Sequence, residues 1–223
     1  MDSSALFLGR APGASPFSLP SNGIQIARRY KVRDKVTGHN MVCPWWLCFT
    51  FDNPLRKLLH NPEAILSPYV GPGSTVIDIG PGMGYFSIPL ARLVGPTGHV
   101  IAIDVQAEML AALARRARRS GVSERIQPHL ASSDSLGNHP KADFVMAFWM
   151  AHEVSNQRAF LTEIFGFLKS EGIFLLVEPI LHVRKKSFLR TVQTAKEIGF
   201  TVKDMPKIRL SQSVLFARNE NGL

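Results

Sequence analysis

The chain has 223 residues, 45% hydrophobic and 19% charged, with a formal net charge of +9. This size accommodates one sizeable α/β core with a short appendage but not two full domains, and no run of about 18 apolar residues offers a membrane span. Two cysteines, Cys43 and Cys48, cannot build a disulfide framework and are too few ligands for a zinc site, which suits a reducing, cytoplasmic setting.

Residues 1–38 read as a flexible N-terminal arm, punctuated by Pro12, Pro16, Pro20 and Gly23. Arg10, Arg28, Arg29, Lys31 and Arg33 stand there with no acid between Asp2 and Asp34, a bias shared with organelle transit peptides. No amphipathic stripe accompanies it, so a solvated arm is the reading. Residues 39–73 form an aromatic and helical cap. Met41–Phe51 holds Trp45 and Trp46 with Phe49, too much aromatic surface to leave in water, and serves either as a lid over a ligand or as a structural cluster. Asp52, Asn53 and Pro54 then signal a short helix ending near Asn61, and Asn61 caps a second one from Pro62 to about Leu66.

From Ser74 the hydrophobic pattern alternates between periods of two and 3.6. It predicts strands at 75–80, 99–104, 125–130, 143–148 and 173–178, with helices at 84–94, 106–119, 156–169 and 185–198, and closing strands at 200–204 and 208–217. Strands separated by helices imply right-handed crossovers and a parallel sheet; the last two, joined through Met205-Pro206-Lys207 without a helix, must be antiparallel. The fold class is therefore α/β: a doubly wound seven-stranded sheet, mostly parallel, with an antiparallel C-terminal strand, spanning residues 74–218.

Two strand ends carry the chemistry. Val76-Ile77-Asp78-Ile79 runs into Gly80, Gly82 and Gly84, which free the backbone to turn and to approach a ligand. A dinucleotide fingerprint would want glycine where Tyr85 stands, and a phosphate-binding P-loop would want a lysine that the loop lacks. The second strand ends in Asp104, 24 residues after Gly80, where a carboxylate can accept both hydrogen bonds of a ribose diol or simply cap the next helix. The pattern Asp-x-Gly-x-Gly-x-Gly resembles motif I of the class I S-adenosylmethionine-dependent methyltransferases, and the resemblance covers roughly residues 62–218, closest to the type 11/25-like small-molecule group. It implies a Rossmann-like fold with S-adenosyl-L-methionine as cofactor. It also implies that Asp78 serves the amino group of the methionine portion, Gly80, Gly82 and Gly84 its backbone approach, and Asp104 the ribose. Val105 and Gln106 would flank the adenine; in the segment from Ser133 the acid Asp134 would receive its amino group, unless it is an ordinary loop aspartate; Ser133 and Phe148 complete the cofactor-binding set.

Ligands on such sheets lie beyond the carboxyl ends of the strands, so the methyl acceptor should touch the segments just after the fourth and fifth strands. His152 and Glu178 are the candidate general bases there, His152 because its ordinary pKa is near neutrality. Each also has a structural reading, as a helix cap and as a carboxylate bonded to backbone. Arg115, Arg116, Arg118 and Arg119 fall off the buried stripe of their helix onto its solvent side. His182, Arg184, Lys185 and Lys186 instead crowd a helix start, where the dipole disfavours cations; a phosphate or carboxylate on the acceptor or an RNA backbone would compensate them, and a solvated loop is the plainer reading. The expected activity is methyl transfer to a small-molecule acceptor, with RNA methylation or a non-catalytic S-adenosylmethionine-binding protein as the alternatives. No metal and no membrane partner are expected.

Overall fold

The computed structural model describes residues 60–218. The expected arm, the Trp45–Trp46 segment, both cysteines and the helix beginning at Pro54 lie outside the described residues.

A short helix α1 (Pro62–Leu66) opens the described region, with the Asn61 side chain accepting from the amides of Glu63 and Ala64 at 3.1 and 3.3 Å. Then come β1 (Thr75–Ile79), α2 (Ser87–Leu93), β2 (His99–Asp104), α3 (Ala107–Arg119), β3 (Ile126–Leu130), β4 (Ala142–Phe148), α4 (Gln157–Phe167), β5 (Leu168–Pro179), α5 (Lys185–Ile198), β6 (Phe200–Asp204) and β7 (Ser211–Arg218). The seven strands form one sheet in the order β3-β2-β1-β4-β5-β7-β6. β1 to β5 are parallel, and β7 alone runs against its neighbours β5 and β6. The α/β class, the mostly parallel sheet and the reversed C-terminal strand are thus as the sequence predicts.

Alternate residues of each strand serve opposite faces. Val76, Val100, Phe144 and Leu175 pack under α1, α2 and α3, whereas Ile77, Ile101, Val145 and Phe174 pack under α4 and α5. Both faces are covered, which is why the central strands read as nearly unbroken apolar runs. Pro128 is tolerated because β3 pairs only with β2, at the sheet edge.

Three boundaries differ from expectation by three residues or more. The helix predicted from residue 84 begins at Ser87, because the left-handed backbone of Gly82 (φ 55°) and Gly84 (φ 86°) winds residues 82–86 into turns first. β5 starts at Leu168 rather than 173: polar Lys169-Ser-Glu-Gly172 resembles a helix end in sequence but continues as extended chain, with a register shift opposite Ala142 and Phe144. β7 starts at Ser211, since Leu210 takes a left-handed turn (φ 55°) just before it.

The crossovers reverse between β1 and β4, so helices leave the sheet in opposite directions there and a crevice opens at the strands' carboxyl ends.

Candidate functional site

That crevice is a cavity of about 700 Å³. From β1 come Asp78, Gly80 and Gly82; from the end of β2 come Asp104, Val105 and Gln106; the loop after β3 contributes Ser133 and Asp134, and β4 contributes Phe148 followed by His152. Two sequence-predicted residues are not among its walls. Gly84 faces away: a Cβ there would stand 3.1 Å from Leu113 Cγ, so this glycine serves close packing of the corner on α3. Glu178 lies behind His152 and lines a smaller adjoining cavity.

The glycine corner is tightly determined. Gly80 has φ 67° and donates its N–H to the carbonyl of Ile103 at 2.9 Å, which ties the corner to β2; a Cβ on it would meet Met150 Cγ at 2.8 Å. Gly82 has φ 55° and open space around it, with nothing within 4 Å of where a Cβ would stand. The first glycine is required by the protein and the second leaves room for something else. Asp78 is 2% exposed and accepts from Ser87 Oγ at 2.6 Å.

Asp104 is 9% exposed and accepts from the Gln106 amide at 2.9 Å. Burial pushes its carboxyl from the ordinary 3.8 up to about 6; hydrogen bonds from the Gln106, Gly82 and Val105 amides oppose the rise, and Glu153 adds to it. A buried carboxylate held by backbone donors at a cavity wall is a costly arrangement, and one suited to receive hydroxyl groups.

On the other side of the cavity, His152 Nδ1 lies 2.7 Å from Glu178 Oε2, with the glutamate 3% exposed. This hydrogen bond raises the His152 pKa above its ordinary value; partial burial opposes the rise, and the charges of Glu178 and Glu153 reinforce it. The β4–β5 register, which sets Phe148 beside Val177, delivers the two residues to the same place.

Several residues of the site escape sequence reasoning. Glu163 on α4 accepts from the Leu136 amide at 2.7 Å and from Ser135 Oγ at 3.2 Å, holding the Ser133–Asp134 loop against the cavity; its acid standing beside the buried stripe of Phe160, Leu161 and Ile164 is the signal available. Trp149 adopts a left-handed backbone (φ 60°), rare for a bulky residue, and is held by its amide to the Val177 carbonyl at 2.8 Å and its indole N–H to Ser211 Oγ at 2.9 Å. Buried His60 packs edge-on against Phe148 and Trp149, with ring centroids 5.2 and 4.9 Å apart, and its carbonyl accepts from Tyr85 Oη at 2.7 Å. Among the described residues, no group of three or more His, Cys, Asp or Glu is arranged to hold a metal ion, and no helix is long and apolar enough to cross a membrane.

Comparison with known proteins identifies the family. The chain is 32% identical over 112 residues to a ribosomal protein L11 methyltransferase of Pelotomaculum thermopropionicum, a match covering 50% of this chain and 34% of that one. It is 29% identical over 121 residues to the ubiquinone/menaquinone biosynthesis C-methyltransferase UbiE of Vibrio cholerae, covering 52% and 46%. The chain thus spans less than half the length of these curated relatives. In fold it matches the crystal structure of a SAM dependent methyltransferase from Aquifex aeolicus with a TM-score of 0.69 at 23% identity, over 77% of this chain and 97% of that one. A family model described as a methyltransferase domain matches residues 71–211, more than half of the chain, so the chain belongs to the class I S-adenosylmethionine-dependent methyltransferase family, whose methyl donor is the cofactor S-adenosylmethionine.

Proposed function

We propose that this chain transfers a methyl group from S-adenosylmethionine to a small-molecule acceptor, with His152 as the general base. The observation that carries this reading is that the glycine corner, Asp104 and His152 all face one cavity of about 700 Å³.

The residues fit the donor. The open backbone at Gly82 admits a close-lying ligand, and the carboxylate of Asp104 accepts from vicinal hydroxyls of a ribose. Asp78, held by Ser87, receives a cationic amino group, while Val105 and Gln106 flank the base and Ser133 with Asp134 meet its amino edge. Phe148 closes the apolar side. When bound, S-adenosylmethionine supplies an electrophilic methyl on a sulfonium, and in a displacement of that kind proximity and exclusion of water do most of the work.

His152 deals with the proton. A glutamate carboxylate only accepts, so Nδ1 carries hydrogen toward Glu178 and Nε2 is left as the acceptor for the proton that the nucleophile loses. Glu178 acts through His152 as a positioning residue, fixing the tautomer and stabilising the imidazolium that forms.

The test is titration with S-adenosylhomocysteine followed by labelled-methyl transfer to a fractionated extract. Saturable heat that is lost in Asp104→Ala, together with label in a small, ribonuclease-resistant product, is the expected result. Absence of heat refutes the donor site, and label destroyed by ribonuclease replaces the small acceptor with RNA.

A further inference from the structure

The smaller cavity, about 510 Å³, adjoins the donor cavity through a shared wall: His152 and His182 line both, with rings parallel and centroids 6.3 Å apart. Its floor comes from the start of α5. Lys186, Ser187, Arg190 and Thr191 lie one turn apart on neighbouring positions of that helix, and Arg184 stands at its N-cap. This open-sided cavity therefore gathers three exposed permanent cations, Arg184, Lys186 and Arg190, and the hydroxyls of Ser187 and Thr191, the latter already donating to Gln157 Oε1 at 2.7 Å.

Among the described residues its only acid is Glu178, which is already committed to His152 at 2.7 Å. The ion pairs of the described residues are Arg92–Glu63, His152–Glu178, Arg158–Glu197 and Lys169–Asp143; Arg184, Lys186 and Arg190 join none of them. The helix start gives no relief: there is no acid in the first turn of α5 and no side chain caps it, so its exposed N–H groups add to the positive field. Cations are normally placed at the other end of a helix. Arg116, Arg118 and Arg119 of α3 follow that habit, in the last turn, and the contrast marks the α5 group as one that gains from an anion.

Resting on the reading of the large cavity as the donor site, we infer that the small cavity is the anion-binding half of the acceptor site. The methyl acceptor is then a small molecule carrying an oxyanion, a phosphate or a carboxylate. Arg184, Lys186 and Arg190 hold that group, Ser187 supplies a hydroxyl, and the rest of the molecule passes the His152–His182 pair toward the donor side. Guanidinium and ammonium groups converging from one helix face recognise such a group at short range. A nucleic-acid duplex would spread its contacts over many phosphates, whereas these three cations stand within seven residues of one another at one helix start.

The experiment tracks the histidine ring signals of the full-length protein by NMR while inorganic phosphate, phenyl phosphate, benzoate or phenol is added, with and without S-adenosylhomocysteine. Saturable movement of the His152 and His182 signals is expected with an anion and not with phenol; phenyl phosphate against benzoate tells which oxyanion is preferred. Lys186→Gln with Arg190→Gln should weaken the binding at least tenfold while S-adenosylhomocysteine affinity stays the same; Arg115→Gln on the outer side of α3 should weaken neither. Unsaturable shifts, or equal binding in the double variant and the unaltered chain, overturn the inference. Affinity for single-stranded oligonucleotides that grows with their length and exceeds that of phenyl phosphate also overturns it, in favour of RNA. Titrating S-adenosylhomocysteine and the anion each on its own separates the two readings: failure of the nucleoside to bind sinks the donor site, and failure of the anion to bind sinks the acceptor subsite alone.

Discussion

Replacing Asp104 by asparagine should make the protein more stable and less able to bind its donor. The folded chain holds the Asp104 proton up to about pH 6, whereas a carboxyl in the unfolded chain loses it near 3.8. The folded state is therefore favoured by this group below pH 3.8, loses that advantage as pH rises toward 6, and above about 6 bears the full cost of a buried charge. Roughly two pH units at about 1.4 kcal/mol each give a ceiling of about 3 kcal/mol at neutral pH. Asparagine keeps an oxygen for the Gln106 and Gly82 amides but carries no charge. In a chain of this length the gain corresponds to a rise of about 6–12 °C in melting temperature at pH 7.5, shrinking toward zero near pH 4. Donor affinity should fall about 10- to 150-fold, the value of one hydrogen bond to a charged acceptor, since asparagine keeps one of the two accepting oxygens. Urea and thermal unfolding at the two pH values, paired with calorimetric titration of S-adenosylhomocysteine, measure both effects. A variant that is no more stable than the unaltered chain at pH 7.5, or whose stability difference does not change with pH, would refute the claim that burial sets the ionisation of Asp104.

Other substitutions separate roles that lie close together. Gly80→Ala combines a strained left-handed backbone with a 2.8 Å clash on Met150, and should cost about 2–4 kcal/mol in urea unfolding. Gly82→Ala has no clash, so it should cost only about 1–2 kcal/mol of stability while reducing donor affinity out of proportion. Ser87→Ala strips a buried hydrogen bond from the Asp78 carboxylate and should destabilise the fold by about 1–3 kcal/mol, with donor binding weakened in parallel. His152 must be neutral to take a proton, so kcat should rise with pH through a midpoint above 6.5; Glu178→Gln removes the main cause of that elevation and should move the midpoint down, and an unmoved midpoint would deny the pairing its role.

Local features are the legible ones. Gly80, Gly82 and Asp104 stand out because a turn and a strand tip are decided by neighbouring residues, and the apolar periodicity of β1 to β5 dictates a covered sheet. Features that depend on distant segments are hidden. His152 and Glu178 read as separate candidates 26 positions apart, and only the β4–β5 register makes them a pair. Glu163 looks like an ordinary helix-surface acid until the loop after β3 folds back on it, and nothing near Trp149 in sequence announces Ser211 as its partner. The polar start of β5 misleads for the opposite reason: local composition speaks for a turn, and pairing with β4 overrules it.

The position of β7 has a consequence for how the protein is made. It is synthesised after both strands that flank it, so until Ser211–Arg218 arrives β5 has no hydrogen-bonding partner along the side from Ile173 to Pro179, and β6 has nowhere to join. A growing chain thus carries an open apolar rim beside its half-built nucleotide crevice, and zipping of this late arrival is the event that ends its exposure to other unfinished chains.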